Sequence, residues 1–269
     1  MHPIFDRPFL EIPAQPRKYF IASDLHLEWR QGQEKGYWEA FPSYPGVDTC
    51  LCAGDLTVFG QPDTVVFRHF NELCKRFDKV IYVPGNHEYY GSDPASVERR
   101  LGDIETMLRP VLTVLRAGSA YTWKGQRFLG DTMWFPDRPE VHIYRKMISD
   151  SFQIKGLFPW CFTQSHLFLM WLRGEMREDD IIITHHIPTD VDTLPQWKGG
   201  QTQAYFLNTD CERLLQNPNV RMPKAWIYGH THDKHDYRVG RTHFICNPVG
   251  YPGERLYLPE AVEPAIYEI

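Results

Sequence analysis

The chain has 269 residues, a length that suits one large α/β domain, so we expect a single domain over residues 1–269. Its hydrophobic residues (42%) and charged residues (23%) have the proportions of a folded globular protein, which excludes a disordered chain. The formal net charge of −5 gives no overall attraction to nucleic acid or to an anionic membrane, so neither partner is favoured.

Two features bear on the cellular compartment. The amino-terminal residues lack the charged segment, apolar run and small-residue cleavage site of a secretory signal, and no stretch is apolar enough to span a bilayer. The six cysteines form no Cys-x-x-Cys pair and lie mostly in apolar segments, which indicates reduced, buried thiols. We therefore expect a cytoplasmic protein with no membrane partner, while the sequence leaves its oligomeric state open.

Strands and helices alternate in the first half of the chain. Apolar runs at residues 19–22, 50–53 and 79–84 predict buried strands. Asp24, Asp55 and Asn86 follow these strands in turn. Apolar residues at helical spacing predict helices over residues 62–77 and 95–108. The first half is therefore typical of an α/β sheet with polar residues at its strand ends.

The second half repeats this arrangement after an interruption. Short strands are predicted around residues 111–115, 121–123 and 127–135, and an aromatic helix over 164–176. Between them, residues 136–159 are predicted to be irregular, and we interpret 136–160 as a possible cap or lid insertion. Further strands at 181–183 and 225–228 end at His185 and at His230 and His232, and residues 237–239 and 242–246 predict a closing hairpin.

The residues at these strand ends indicate a metal site. Parallel strands deliver polar groups from their carboxyl ends into one shared crevice. The candidate ligands are Asp24, His26, Asp55, Asn86, His185, His230 and His232. Carboxylate, amide and imidazole donors without thiolate suit manganese, iron, zinc or nickel. A bridging carboxylate can hold two such ions about 4 Å apart, which clamps a phosphoryl group and generates hydroxide at neutral pH. The set therefore predicts hydrolysis of phosphate esters.

Five ordered motifs resemble those of the calcineurin-like metallophosphoesterase superfamily. They are Asp24-Leu25-His26, Gly54-Asp55, Gly85-Asn86-His87-Glu88, Thr184-His185 and Gly229-His230-Thr231-His232. Five motifs in order are far more specific than any one of them, and they span roughly residues 18–251. The resemblance implies an α/β fold with a central β-sandwich flanked by helices, in four αββα layers, and a metal site on the strand-end loops.

The resemblance also implies a role for each residue. It places Asp24, His26 and His232 on one metal and Asn86, His185 and His230 on the other, with Asp55 bridging two ions, for which manganese is favoured. His87 is left outside the ligand set as the general acid that protonates the leaving group, or as a residue that stabilises charge on the phosphoryl oxygens. The implied nucleophile is a metal-bridging hydroxide.

Most residues next to the candidate ligands are expected to have structural or supporting roles. His186 follows His185, so in an extended strand its side chain points to the opposite side, and we expect it to support the site. Glu88 is expected to be structural or to support a ligand. For Tyr89 and Tyr90, we expect core packing in preference to stacking on a substrate. His230 and His232 lie two apart, which in extended backbone places both on one side.

The predicted function is hydrolysis of a phosphodiester or another small phosphorylated substrate. A protein phosphatase is less favoured because Gly54-Asp55 continues as Leu56-Thr57-Val58 and lacks the Gly-Asp-x-x-Asp-Arg-Gly form. A nuclease is an alternative that the acidic balance disfavours. A non-catalytic metal-binding scaffold is a third alternative, although no expected ligand is missing. The candidate substrate contacts in the lid are Arg138, Arg145, Lys146 and Lys155.

Overall fold

A computed structural model of the chain describes residues 17–30, 32–33, 37–38, 44–191, 198–252, 254 and 266–269. Its first sheet contains five strands in the order β11-β1-β2-β3-β4. Their bounds are Lys18–Ala22 (β1), Thr49–Ala53 (β2), Lys79–Val83 (β3), Leu112–Val114 (β4) and Ile266–Glu268 (β11). Strands β1 to β4 are parallel, and β11, which the sequence did not predict, pairs antiparallel with β1.

The second sheet contains six strands in the order β5-β6-β7-β8-β10-β9. Their bounds are Tyr121–Trp123 (β5), Gln126–Asp131 (β6), Ile181–Thr184 (β7), Ala225–Tyr228 (β8), His235–Val239 (β9) and Thr242–Cys246 (β10). The four inner strands are parallel, and each edge strand pairs antiparallel with its neighbour. The predicted closing hairpin is thus the β9–β10 edge.

Six α-helices accompany the sheets in the described part of the chain. They are Asp63–Cys74 (α1), Pro94–Met107 (α2), Pro139–Tyr144 (α3), Asp150–Gln153 (α4), Leu157–Glu175 (α5) and Thr209–Leu215 (α6). Short 3-10 helices occupy Leu27–Arg30, His87–Tyr89, Arg145–Met147 and Gln203–Tyr205. No described helix combines the length and the apolar character needed to cross a bilayer.

The middle of the chain is more helical than its sequence predicted. The expectation of an irregular segment over 136–159 was wrong, because α3 and α4 lie within it. Helix α5 begins at Leu157 instead of residue 164, and Pro159 lies in its first turn, where the missing N–H leaves no helical hydrogen bond unmade. The density of Pro and aromatic residues concealed these helices, since both types disfavour helix interiors.

Alternating side chains build three layers of core. Between the sheets, Leu51 and Ala53 of β2 pack with residues such as Ile183 and Ile227. Their neighbours in β2, Cys50 and Cys52, instead face the core shared with α1 and α2. On the far side, the second sheet packs against α5 and α6 through residues that include Ile182, Trp226, Phe168 and Cys211. Every side chain of β2, β3, β7 and β8 is buried, and the predicted αββα sandwich is confirmed.

The two sheets approach closely at Gly130 in β6. A Cβ atom built there would lie 2.3 Å from the carbonyl oxygen of Ile183 and 2.9 Å from side-chain atoms of Leu115 and Val83. We expect Gly130→Ala to reduce the free energy of unfolding by about 1–3 kcal/mol, because the backbone of β7 must shift to admit the methyl group. The measurement is the guanidinium unfolding midpoint.

Gly102→Ala is the matched control for this substitution. Gly102 lies within α2, and outside its own helix no described atom lies within 4 Å of an added Cβ. Alanine favours a helix over glycine by up to about 1 kcal/mol, so this variant should unfold at an equal or higher denaturant concentration. Equal losses of stability in the two variants would contradict the close approach at Gly130.

Candidate metal centre

The ends of five parallel strands bring all seven predicted ligands to one edge of the sandwich. Three overlapping groups of side chains there offer ligand atoms within 4.8 Å of one another: Asp24 with His26 and His232, Asp55 with His185 and His230, and Asp55 with His26 and His87. Asn86 lies beside the second group, with its Oδ1 2.9 Å from His185 Nε2. The structure therefore brings the seven residues together, and their division between two metal ions stays a prediction.

The first group lies between the loops that follow β1 and β8. The Nε2 atoms of His26 and His232 are 3.1 Å apart, and His232 Nε2 is 3.4 Å from Asp24 Oδ1. Asp24 and His26 are fully buried, and the side chain of His232 is 17% exposed. The three donor atoms thus converge on one small volume that remains open to solvent on the His232 side.

The second group lies between the loops that follow β2, β3, β7 and β8. His185 Nε2 is 3.2 Å from His230 Nδ1 and 3.4 Å from Asp55 Oδ2. On the other side of its ring, His185 Nδ1 donates to the carbonyl oxygen of Ala53 at 2.8 Å. This hydrogen bond fixes the ring with the lone pair of Nε2 directed at the other donors.

Asp55 lies between the two groups. Its Oδ2 is 3.4 Å from His185 Nε2 and 3.7 Å from His26 Nε2, while its Oδ1 accepts a hydrogen bond from the backbone N–H of His87 at 2.9 Å. One carboxylate oxygen thus faces both groups, which is the geometry that a bridging ligand requires. The donors are nitrogen and oxygen only, so the set fits two divalent transition-metal ions.

The charges of the site favour bound cations. Burial opposes ionisation of Asp55, but His185, His87 and His26 outweigh it and hold the pKa of this carboxyl well below its ordinary value. Burial alone would lower the pKa of His185, yet Asp55 and Asp24 raise it to about 10. Because an imidazole ligates a metal only when neutral, an ion that binds here must displace such protons.

The backbone at the strand ends adopts a conformation that most residues avoid. Five of the seven predicted ligands have positive φ angles: Asp24 (54°), His26 (46°), Asp55 (56°), His230 (68°) and His232 (54°). Asp, Asn and His tolerate this region better than other residues, and such strain gathers at functional sites. The expectation of extended backbone at His230 and His232 was therefore wrong, and the turn sends the two rings to different groups.

Two glycines make room for the carboxylates. A Cβ on Gly85 would lie 2.1 Å from Asp55 Oδ1, and one on Gly229 would lie 2.8 Å from Asp24 Oδ2. Any larger residue at either position would displace a candidate ligand. The glycine that precedes a predicted ligand in these motifs thus has a steric reason.

Glu88 holds the second and third loops together. Its fully buried carboxylate accepts hydrogen bonds from the backbone N–H groups of Gly85, Asp55, Leu56 and Thr57, at 2.6 to 3.2 Å. Burial and the nearby charge of Asp55 raise its pKa to about 7. Glu88 therefore supports the loop backbone, which is the structural role expected of it.

His87 lies outside the first and second groups, although its ring also has a nitrogen within 4.8 Å of ligand atoms of His26 and Asp55. Its ring stacks on Tyr90 with centroids 4.1 Å apart, its Nδ1 is 2.9 Å from Glu28 Oε1, and its Nε2 is 2.8 Å from the hydroxyl of Tyr251. Tyr90 therefore differs from the core residue that was expected, whereas Tyr89 is buried. None of the five sequence motifs contains Glu28.

Asp150 is a second residue that the analysis of motifs missed. It begins α4 in the proposed lid, is 5% exposed, and accepts hydrogen bonds at Oδ1 from Asn86 Nδ2 (2.8 Å) and from the Tyr90 hydroxyl (2.6 Å). Burial raises the pKa of Asp150 although both donors oppose that effect. By holding the amide nitrogen of Asn86, Asp150 directs the amide oxygen toward His185.

The remaining histidines take the supporting places expected of them. His186 is buried behind His230, with ring centroids 4.4 Å apart, and its Nδ1 lies 3.2 Å from the carbonyl oxygen of Thr132. Burial, together with the charge of His185, lowers its pKa to about 3, so it is neutral. His69 is buried against Thr57, and His243 pairs with Asp236 in the closing hairpin.

A cavity of about 350 Å³ opens over the two groups. Its floor includes Asp55, Asn86 and His87, and its walls include Tyr90, Met147, Ile148, Tyr205, Phe206 and Tyr251. Residues 147–150 of the proposed lid line it, whereas Arg138, Arg145, Lys146 and Lys155 do not. Arg138 instead pairs with Asp210. The basic residues selected from the sequence are therefore not cavity contacts in this structure.

We expect Asp150→Ala to weaken metal binding at one of the two positions by about tenfold to a hundredfold, because Asn86 loses the acceptor that orients it. Calorimetric titration of the metal-free protein with Mn²⁺ measures both affinities. Tyr90→Phe is the comparison, since it removes the longer contact of Asn86 Nδ2 with the Tyr90 hydroxyl (3.3 Å) but retains the 2.8 Å contact with Asp150, so its loss of affinity should be smaller. Two unchanged affinities, or the same loss in both variants, would refute the role of Asp150.

The chain matches known proteins over most of its length. Residues 17–234 match the family model described as Calcineurin-like phosphoesterase. The uncharacterized protein L509 of Acanthamoeba polyphaga mimivirus is 26% identical over 266 residues, which cover 87% of this chain and 91% of the viral protein.

Solved structures share the fold at low sequence identity. The phosphopantetheinyl hydrolase PptH from Mycobacterium tuberculosis superposes with a TM-score of 0.70 at 17% identity, and the match covers 95% of this chain and 96% of that one. The protein TT1561 of Thermus thermophilus gives a TM-score of 0.54 at 14% identity, covering 88% and 90%. With five ordered motifs, two convergent donor groups and a family match over residues 17–234, the chain belongs to the calcineurin-like phosphoesterase family, whose members are generally metal-dependent hydrolases.

Proposed function

We propose that this protein is a dinuclear metal-dependent phosphoesterase that hydrolyses a phosphodiester or another small phosphorylated substrate. The observation that carries the proposal is the position of Asp55, whose Oδ2 faces His26 and His185 at 3.7 and 3.4 Å, on the floor of a cavity that also contains His87. A shared carboxylate between two donor groups is typical of sites that bind two metal ions.

We assign the seven candidate ligands to two metal positions. Asp24, His26 and His232 would hold one ion, Asn86, His185 and His230 the other, and Asp55 both. Two bound divalent ions would polarise the phosphoryl oxygens and provide a hydroxide nucleophile at neutral pH. Among these ions we favour manganese, because the site combines oxygen donors with imidazole and offers no thiolate.

His87 is placed to transfer a proton to the leaving group. Its Nε2 faces the cavity beside Tyr251, and its backbone N–H holds Asp55 Oδ1. Burial opposes protonation of His87, but Asp55 and Glu28 outweigh burial and raise its pKa above the ordinary value. A protonated imidazole at this position can donate to the departing oxygen or stabilise charge on the phosphoryl group.

The cavity favours a substrate with one phosphate and an uncharged remainder. Its volume of about 350 Å³ lies within the range of small-molecule pockets. Among the described residues no arginine or lysine lines it, whereas Asp150 and Glu254 do. Aromatic and apolar walls beside two carboxyl groups disfavour a polyanion, so a nuclease remains a secondary candidate.

The first test is metal-dependent turnover by the purified chain. We expect bis-(p-nitrophenyl) phosphate or p-nitrophenyl phosphate to be hydrolysed after loading with Mn²⁺, and chelation to abolish the rate. Single-stranded DNA tests the nuclease, and a phosphopantetheinyl ester tests the activity named for the Mycobacterium structure. If two metal ions are bound and neither nitrophenyl ester is hydrolysed, the proposed function is wrong.

The second test separates His87 from the ligands. We expect His87→Ala to bind two metal ions with unchanged stoichiometry but to lower turnover by about a hundredfold or more, the usual scale for loss of a general acid. Elemental analysis measures occupancy and steady-state kinetics measures turnover. Asp55→Asn is the comparison, since removal of the shared charge should reduce occupancy itself. Unchanged turnover in His87→Ala would remove this residue from the reaction.

A further inference from the structure

One carboxylate oxygen joins a candidate ligand to the candidate acid. Glu28 lies in the 3-10 helix Leu27–Arg30, just after the loop that follows β1. Its Oε1 is 3.0 Å from His26 Nδ1 and 2.9 Å from His87 Nδ1, and its side chain is 9% exposed. The two rings meet edge to face around it, with centroids 4.4 Å apart. Neither family motifs nor ligand spacing singled out this residue.

In both contacts the histidine nitrogen donates the hydrogen bond and the Glu28 oxygen accepts it. An ionised carboxylate only accepts hydrogen bonds, so the Nδ1 atoms of His26 and His87 must both carry hydrogen. The geometry fits the ionised form, because Oε1 meets two ring nitrogens at 3.0 and 2.9 Å and one carboxylate oxygen can accept from both. The Glu28 carboxylate thus selects one tautomer of both neutral rings.

The opposite nitrogens then take different roles. The Nε2 of His26 then carries a lone pair in place of a hydrogen. It points at His232 Nε2 (3.1 Å) and Asp55 Oδ2 (3.7 Å), where a metal ligand needs that lone pair. The Nε2 of His87 points at the cavity wall, where it meets the Tyr251 hydroxyl at 2.8 Å. A single acceptor therefore directs one imidazole to the metal position and the other to the leaving-group side.

We propose that Glu28 is the positioning residue of the reaction, which holds His87 with Nε2 directed at the leaving group while it orients His26 as a ligand. The proposal rests on the proposed phosphoesterase function. As a hydroxide oxygen bonds to phosphorus and the bond from phosphorus to the leaving oxygen breaks, the proton on His87 Nε2 moves to the leaving oxygen. The ring becomes neutral and keeps its Nδ1 hydrogen on Glu28.

The test uses leaving groups of different acidity. Phosphodiesters of nitrophenol need little proton donation, whereas esters of phenol or of an aliphatic alcohol depend on it. In Mn²⁺-loaded Glu28→Ala, which removes the acceptor of both rings, we expect turnover of the alkyl ester to fall at least about tenfold more than turnover of the nitrophenyl ester. Metal stoichiometry is measured in the same samples, so a lost ion is not mistaken for a lost proton donor.

Glu254→Ala is the matched control. Glu254 accepts from the Nδ1 of a candidate ligand, His232, at 2.7 Å, as Glu28 does from His26. It also accepts from the backbone N–H of Tyr251 at 2.8 Å, an exposed contact that water can replace, and it does not contact His87. Loss of Glu254 should therefore lower the rates of all esters by the same factor. If Glu28→Ala also lowers them by one common factor, Glu28 only supports a ligand and the proposal is overturned.

A second readout is independent of turnover. In the Zn²⁺-loaded protein, nitrogen-15 NMR of the histidine rings, assigned with His87→Ala, should show His87 with hydrogen on Nδ1. In Glu28→Ala this preference should be lost, while circular dichroism verifies the fold. A His87 ring that carries hydrogen on Nε2 alone in the unaltered neutral protein overturns the proposal. If the protein cleaves no ester, the proposed function fails, and the NMR result still decides the placement by Glu28.

Discussion

The negative charge of Asp55 is the constraint on which the site depends. This carboxylate is 1% exposed, and an ionised group so far from water is stable only with compensating charges and hydrogen-bond donors. The backbone N–H of His87 and the rings of His185 and His26 provide them from three separate strand ends. The loops must therefore converge on one carboxylate, and a side chain at Gly85 would collide with its Oδ1 atom.

Rigid sheets make this convergence possible. Positive φ angles at five candidate ligands each raise the energy of the loops by about 1–3 kcal/mol, so the surrounding structure must enforce them. Strands β2, β3, β7 and β8 are buried along their whole length and fix where each loop begins. Glu88 then ties the loop after β3 to the loop after β2 through three backbone donors. Strain in the loops is thus balanced by packing in the sandwich.

The sequence predicted the parts of the fold that local patterns encode. Continuous apolar runs located β1, β2, β3, β7 and β8, and the polar residue after each run located the site. The helices of the lid were missed because Pro and aromatic residues disguise them, and β11 lies far from its partner β1 in the chain. Those errors concern pairing and packing, which a local pattern does not contain.

Some of the residues that support the site could have been predicted from the sequence, and others could not. Glu28 follows His26 by two residues, so an acidic residue next to a predicted ligand was a usable signal. Asp150 gave none, since 64 residues separate it from Asn86 and only the folded chain brings the two together. The positive φ at His230 and His232 was also invisible, because alternation in a strand does not continue into a turn.

Some carboxylates of the site face the metal positions, and others orient the residues that would bind the metals. Asp24 and Asp55 face the metal positions, whereas Glu28, Asp150 and Glu254 each accept a hydrogen from the far side of a candidate ligand: His26, Asn86 and His232. These three orienting groups come from segments outside the two sheets. Asp150 belongs to the stretch of the lid that also lines the cavity. Any substrate that displaces this stretch must therefore also move the acceptor that orients Asn86, so contact with the substrate and the geometry of one metal position are physically coupled.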